Sequence, residues 1–158
     1  MIRVGLGFDS HRFAPERPLV LGGVHIDHAP GLAGHSDADA VLHAIIDSVL
    51  GAIAAGDIGE HFPDADPMWL NADSAHMLLQ VMRIAADRGY KATNCDVTVI
   101  AETPKLSRHK PAMRTRIAQL LGVGTDAVSV KAKTNEGMGW IGRGEGLAAM
   151  AVVTLTTE

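Results

Sequence analysis

The sequence predicts a single α+β domain in which one sheet carries helices stacked on one side. Two observations predict it. At 158 residues the chain suits one hydrophobic core, because single domains run to about 100–200 residues. Strand-like and helix-like segments interleave along the whole length, with no internal repeat, linker or low-complexity tract. Apolar residues make up 47% of the chain and aromatics are few, so that core must be built from Ala, Val, Leu, Ile and Met.

Residues 2–8 read as a first strand, ending at Asp9-Ser10-His11. Residues 19–21, Gly22-Gly23 and residues 24–26 read as a short hairpin. Ser36 and Asp37 are good caps for a helix running to about Ala55, since Val41, Leu42, Ile45, Ile46, Val49, Leu50 and Ile53 recur at helical spacing. Gly56-Asp57-Ile58-Gly59 stops it, and Phe62-Pro63-Asp64-Ala65-Asp66-Pro67 is a loop containing two prolines. Asp73-Ser74 caps a second helix through Met77, Leu78, Val81, Met82 and Ala85, which Gly89 ends. Residues 97–101 form a strand. Pro111 begins a third helix bearing Met113, Ile117, Leu120 and Leu121, with Gly122 after it. Residues 128–133 alternate as a half-buried strand does, and the glycines between 137 and 146 make the next stretch irregular. The final strand, residues 147–155, is apolar on both faces at its start. Such a strand is central in a sheet or buried against another subunit.

Composition narrows the function. A net charge of −4 argues against a nucleic-acid partner, which calls for a basic face. An anionic substrate would have to be drawn in by metal ions or a local cluster of donors. Cys95 is the only cysteine, so no internal disulfide forms, which fits a reducing compartment. In its strand-like run it reads as a small buried hydrophobe. Residues 1–5 lack the apolar stretch of a signal peptide, and the apolar run at 147–153 is too short to span a bilayer. A soluble, cytoplasmic protein without a membrane partner is expected.

Asp9 and His11 are two apart on a strand, so their side chains point the same way. A carboxylate and an imidazole side by side make half of a metal site, and His43 is the best third ligand. Asp39, His43 and Asp47 are spaced four apart and share a helix face, so Asp39 or Asp47 can accept the second ring N–H of His43. Two imidazoles and one carboxylate leave an open fourth position, the pattern of a catalytic zinc. The alternative is that Asp9 caps a turn, His11 lies on the surface and His43 pairs with Asp47. His25, Asp27 and His28 form a competing group of ligand types. His35-Ser36-Asp37 would stand at a helix start, where free N–H groups and the Ser36 hydroxyl favour a phosphate, or where Ser36 or Asp37 is simply a cap. Glu136 follows Lys133-Thr134-Asn135 at a strand end, where a hydroxyl and a carboxylate can serve a phosphate and a Mg²⁺ together. Gly142-Arg143-Gly144-Glu145-Gly146 is neither a Walker loop nor a dinucleotide fingerprint. Ala101-Glu102-Thr103-Pro104-Lys105-Leu106 follows a strand end, a usual place for a binding loop.

Gly7-Phe8-Asp9-Ser10-His11, His35-Ser36-Asp37-Ala38-Asp39, Gly56-Asp57-Ile58-Gly59, Phe62-Pro63-Asp64 and Gly142-Arg143-Gly144-Glu145-Gly146 together resemble the 2-C-methyl-D-erythritol 2,4-cyclodiphosphate synthase family, in its order and spacing over essentially the whole chain. The resemblance implies an enzyme of non-mevalonate isoprenoid biosynthesis that cyclises 4-diphosphocytidyl-2-C-methyl-D-erythritol 2-phosphate and releases CMP. It implies a zinc-like ion on Asp9, His11 and His43, and a Mg²⁺ or Mn²⁺ held on the diphosphate with help from Glu136. His35 and Thr134 would steady the transition state. Asp57, Gly59, Phe62 and Asp64 would line the sugar and methylerythritol part, and Ser36, Ile58, Pro63, Ala65 and Asp66 would also contact the substrate. Ala101, Glu102, Thr103, Pro104, Lys105, Leu106 and Ser107 would form the cytosine pocket, with Lys133 and Asn135 close by. The implied fold is a two-layer, mixed four-stranded sheet with helices on one face. Three subunits form a homotrimer with active sites between neighbours. Trp140 and Arg143 would line its three-fold axis, where an isoprenoid diphosphate can sit. Lys133, Asn135, Gly137-Met138 and Trp140 depart from the commonest family pattern. A metal-dependent phosphohydrolase and a non-catalytic nucleotide-binding trimer are the rival readings.

Overall fold

The computed structural model describes residues 1–28 and 30–157. In chain order the elements are β1 (Ile2–Ala14), β2 (Leu19–Leu21), β3 (Val24–Ile26), β4 (Gly31–Leu32), α1 (Ala40–Ala52), α2 (Ile58–His61), α3 (Ser74–Asp87), β5 (Tyr90–Ile100), α4 (Lys110–Leu121), β6 (Val128–Lys133), α5 (Gly139–Gly142) and β7 (Gly146–Thr157). Single 3-10 turns lie at Pro67–Trp69 and Thr125–Ala127.

The four long strands form the expected mixed sheet, and the two-residue β4 extends one edge to give the order β4-β1-β7-β5-β6. β7 runs antiparallel to both β1 and β5, while β5 and β6 are parallel. Strand alternation sorts the residues between two faces. Leu147, Ala149, Ala151, Val153 and Leu155 of β7, Cys95, Val97 and Val99 of β5, and Val128 and Val130 of β6 are buried on one face. α1 covers β1 and β7 there, α3 lies beside α1 and reaches β5, and α4 covers β6. On the other face Ile2, Val4, Leu6 and Phe8 stay exposed at 73, 62, 63 and 53%, beside Met150 and Val152. Burial, helped by the neighbouring Asp96, pushes the Cys95 thiol up to about 12, so it packs as an inert hydrophobe as expected.

Two glycines set the distance between the layers. A Cβ on Gly5 would lie 1.7 Å from the Ser48 carbonyl oxygen, and one on Gly7 would lie 1.8 Å from that of Ala44. The backbone of α1 therefore rests directly on β1. That contact carries His43, next to Ala44, up against Asp9 and His11.

α1 starts later than the sequence predicts. Ser36 and Asp37 do not cap it, and it ends at Ala52 rather than Ala55. Asp39 is the cap: its carboxylate accepts the Leu42 N–H at 3.0 Å and also the N–H groups of Gly22 and Gly23 at 2.9 and 2.7 Å. One side chain thus fixes both the helix start and the β2–β3 turn. Burial pushes its carboxyl up to about 6 against the pull of these three N–H donors. Asp39→Ala should cost about 3 kcal/mol, since it removes a cap and strands the buried turn N–H groups. The expected result is a lower urea midpoint with an unchanged slope.

Other boundaries also move. β1 continues to Ala14, so Asp9 and His11 sit within the strand rather than at its end. β5 begins at Tyr90, not at residue 97. α3 and α4 stand where periodicity places them, and Gly122 ends α4 at φ +70°. β7 is central in the sheet. Among the described residues no helix is long and apolar enough to cross a membrane.

Candidate functional site

Asp9 and His11 project from the helix-facing side of β1, and His43 from the first turn of α1. His11 Nε2 lies 2.8 Å and His43 Nδ1 3.1 Å from Asp9 Oδ2, and the two ring nitrogens are 3.3 Å apart. Among the described residues these three form the one group of three or more His, Cys, Asp or Glu arranged to hold a metal ion. His25, Asp27 and His28 do not converge. Asp27 and His28 line a separate cleft of about 520 Å³ with Lys105, Arg108 and His109.

Hydrogen-bond roles decide what the three groups offer. His11 Nδ1 is 2.6 Å from the Ala33 carbonyl oxygen, which only accepts, so Nδ1 carries a proton. In neutral His11 the lone pair is therefore on Nε2 and faces Asp9 and His43. Burial opposes charge at both His11 and Asp9. The hydrogen bonds and charges between them outweigh it, with help from Ala33 and Asp39 at His11 and from His43 at Asp9. The His11 value is raised and the Asp9 value lowered. A carboxylate oxygen and an imidazole lone pair that meet this closely need a cation between them, either a proton or a metal ion.

The partners expected for the far side of His43 are different. Neither Asp39 nor Asp47 accepts from its ring. Asp39 is spent on its three N–H donors, and Asp47 accepts the Ile58 N–H at 2.7 Å, which anchors α2. His43 Nε2 instead meets Ser74 Oγ at 2.9 Å and Ser36 Oγ at 3.0 Å. Ser36 lies in the loop before α1, not at the helix N-terminus, so the helix-start phosphate site expected there is not formed. Its loop is braced by Arg17, whose Nη2 donates to the Ser36 carbonyl and whose Nε donates to that of Leu32.

The triad opens into a cleft of about 230 Å³ that gathers many of the sequence candidates: His35, Ser36, Ile58, Gly59, Phe62 and Asp64. Gly34, Trp69 and Met77 also line it, and of these only Met77 carries a sequence signal, its helical periodicity. Phe62 meets Trp69 edge-on at 4.8 Å between centroids, which builds the apolar wall. His35 Nε2 donates to the Asp66 carbonyl at 3.1 Å, tying that loop to the cleft. Asp57 caps α2 through the Glu60 N–H, and Pro63 and Ala65 are exposed loop positions outside the lining.

A second cleft of about 210 Å³ lies at the ends of β5 and β6, lined by Ala101, Pro104, Lys105, Leu106, Ser107, Lys133 and Thr134 among others. Thr103 faces the larger neighbouring cleft. Glu102 turns inward and accepts the N–H groups of Asn135 and Gly137 at 2.9 and 3.2 Å, so it shapes the turn after β6. Asn135 donates from Nδ2 to the Met138 carbonyl. Glu136, at φ +53°, is exposed on that turn and stands apart from the triad group. Trp140 lines a third cleft with Ser10, His11, Arg12 and Glu145, and Arg143 is paired with Glu145 at 2.9 Å. The first and second clefts share no lining residue.

The fold and this ligand set define an α+β protein with a candidate metal centre at the foot of a cleft. The chain belongs to the YgbB family, which it matches over residues 2–156. It is 54% identical over 152 residues to the 2-C-methyl-D-erythritol 2,4-cyclodiphosphate synthase of Symbiobacterium thermophilum, a match covering 96% of this chain and 97% of that protein. Among solved structures it superposes on the CDP complex of IspF from Plasmodium falciparum with a TM-score of 0.87 and 34% identity, over 99% of this chain and 97% of that one. It also matches the bifunctional IspDF of Campylobacter jejuni with a TM-score of 0.96 and 42% identity, and spans 43% of that longer protein.

Proposed function

We propose that this chain is a 2-C-methyl-D-erythritol 2,4-cyclodiphosphate synthase: it cyclises 4-diphosphocytidyl-2-C-methyl-D-erythritol 2-phosphate and releases CMP. The observation that carries the reading is the convergence of Asp9 Oδ2, His11 Nε2 and His43 Nδ1 on one point at the foot of the cleft. Relatives of near-equal length bear the synthase name, and one solved neighbour is described as a CDP complex.

In the reaction an oxygen of the 2-phosphate attacks the β-phosphorus, the bond from that phosphorus to the bridging oxygen breaks, and CMP leaves with that oxygen. The nucleophile is already an anion, so no strong general base is required. The barrier is the approach of two negative phosphates in line, and positioning with charge stabilisation lowers it. A zinc-like ion on the triad and a Mg²⁺ or Mn²⁺ near Glu136 would supply that charge when bound. Ile58, Gly59, Phe62 and Asp64 would hold the methylerythritol part. His35 and Thr134 would steady the transition state, and Ser36 would contact the substrate. Residues 101–107 would take the cytosine edge through backbone groups, consistent with the ordinary composition of that loop. The ligand set needs a deprotonated His11, and its raised value makes metal uptake weaken as pH falls.

The triad cleft and the proposed nucleotide cleft share no lining residue on one chain, and assembly would join them. Ile2, Val4, Leu6 and Phe8 with Met150 and Val152 leave one face of the sheet apolar and bare, which a homotrimer around a three-fold axis would cover. Near that axis the Arg143 charge would be offset by Glu145, its present partner, or by an isoprenoid diphosphate.

Incubation with the cytidine substrate and Mg²⁺ or Mn²⁺, followed by phosphorus NMR, tests the activity. Equimolar CMP and cyclic diphosphate are expected. CMP with an uncyclised bisphosphate would mean a phosphohydrolase, and no turnover would mean a binding module.

A further inference from the structure

The side of His43 that faces away from the triad meets two hydroxyls, and the two are not equivalent. Ser36 Oγ accepts the Ala38 N–H at 3.2 Å and keeps its own proton, so it can either accept from or donate to a ring nitrogen. Ser74 is committed. It is fully buried, and its hydroxyl donates to Asp37 Oδ1 in a short contact while its backbone N–H donates to Asp37 Oδ2 at 3.1 Å. Its single hydroxyl proton is thereby spent, and only a lone pair can face His43 Nε2 at 2.9 Å. That contact is favourable only if Nε2 carries the ring proton.

We propose that Ser74, held by Asp37, is a positioning residue that fixes His43 in the tautomer whose Nδ1 lone pair faces Asp9 and His11. This rests on the metal-centre reading above. The device works against a competing pull. In the metal-free protein Asp9 Oδ2, 3.1 Å from Nδ1, favours a proton on Nδ1, which would block that nitrogen as a ligand. Ser36 alone accommodates either tautomer and cannot resist the pull. Asp37 also accepts the Asp39 N–H at 3.2 Å, so the same carboxylate joins the loop before α1 to the first residue of α3. Two elements that are distant in sequence are thus locked in the relation the ring requires.

The test reads the ring directly. Long-range proton–nitrogen NMR of the metal-free wild type should show neutral His43 as the Nε2–H tautomer. In Ser74→Ala that preference should shift toward Nδ1–H. Zinc affinity, measured by competition with a chelator, should weaken about 10–100-fold while the far-UV spectrum is kept. Ser74→Thr, which restores the hydroxyl, should recover the Nε2–H signal. Wild-type His43 found as Nδ1–H, or zinc affinity unchanged in a folded Ser74→Ala, would overturn the proposal. Should Ser74→Ala not fold, the wild-type tautomer decides alone. A wild type that shows Nε2–H yet keeps its bound zinc when His43 is replaced by alanine would defeat the metal-centre reading instead, and would overturn the positioning role that rests on it.

Discussion

With the proposed metal on the triad, His11→Ala and His43→Ala should each abolish transition-metal binding and lower turnover by about a thousandfold, the equivalent of roughly 4 kcal/mol of lost charge stabilisation. The triad supplies three donors, and a tetrahedral site that keeps one position open for substrate has none to spare. Both variants should stay folded. His11 is only part-buried, and His43 contacts the core through polar partners while the surrounding aliphatic side chains of α1 remain. Metal content by elemental analysis checks the first effect and circular dichroism the second. Full metal occupancy in both folded variants would show that the ion, if any, sits elsewhere.

Gly7→Ala should be at least as damaging although it changes no ligand. Its methyl group would need room that the Ala44 carbonyl oxygen occupies at 1.8 Å, and side-chain Cβ atoms essentially never approach another heavy atom closer than 3.0 Å. Backbone lies on both sides, so no rotamer change relieves the clash and α1 must move off β1 by more than an ångström. A loss of about 4 kcal/mol or more is expected, together with loss of metal binding because His43 moves with the helix. Gly51→Ala, on the same helix, supplies the control. A Cβ there meets nothing within 4 Å, so it should be neutral or stabilising by up to about 1 kcal/mol through helix propensity. Thermal unfolding and chelator competition on the pair separate the contact from a general effect of alanine.

Much of the fold was legible because periodicity is local. The apolar spacing from Val41 to Ile53, the Asp73-Ser74 start of α3, Pro111 and Gly122 around α4 and the unbroken apolar run of β7 all reflect neighbours within a turn or along a strand. What was missed depends on partners far away in sequence. Ser36 and Asp37 are good caps by type, yet Asp39 prevails because its carboxylate also reaches Gly22 and Gly23 on the hairpin. β1 outlasts its apolar half because β7 continues to pair with it as far as Arg12. The triad was legible because two ligands share a strand face and the third sits on the helix that strand packs against. Its outer partners were not. Ser74 reads as a helix start and nothing more, and only the fold brings it to His43 from 31 residues away. Gly7 stood within a recognised motif, but the need for glycine there appears only once α1 lies on it.

If the triad cleft of one subunit and the proposed nucleotide cleft of a neighbour make one active site, two inactive variants should complement each other when mixed. His43→Ala keeps the loop at the ends of β5 and β6. Ser107→Trp fills the exposed rim of the second cleft and keeps the triad. After dissociation and reassembly of an equal mixture, about one site in four should combine two intact halves, and close to a quarter of wild-type turnover should return. If heterotrimers form, as shown by mass spectrometry of tagged subunits, and activity stays at the level of the separate variants, the shared-site account is contradicted.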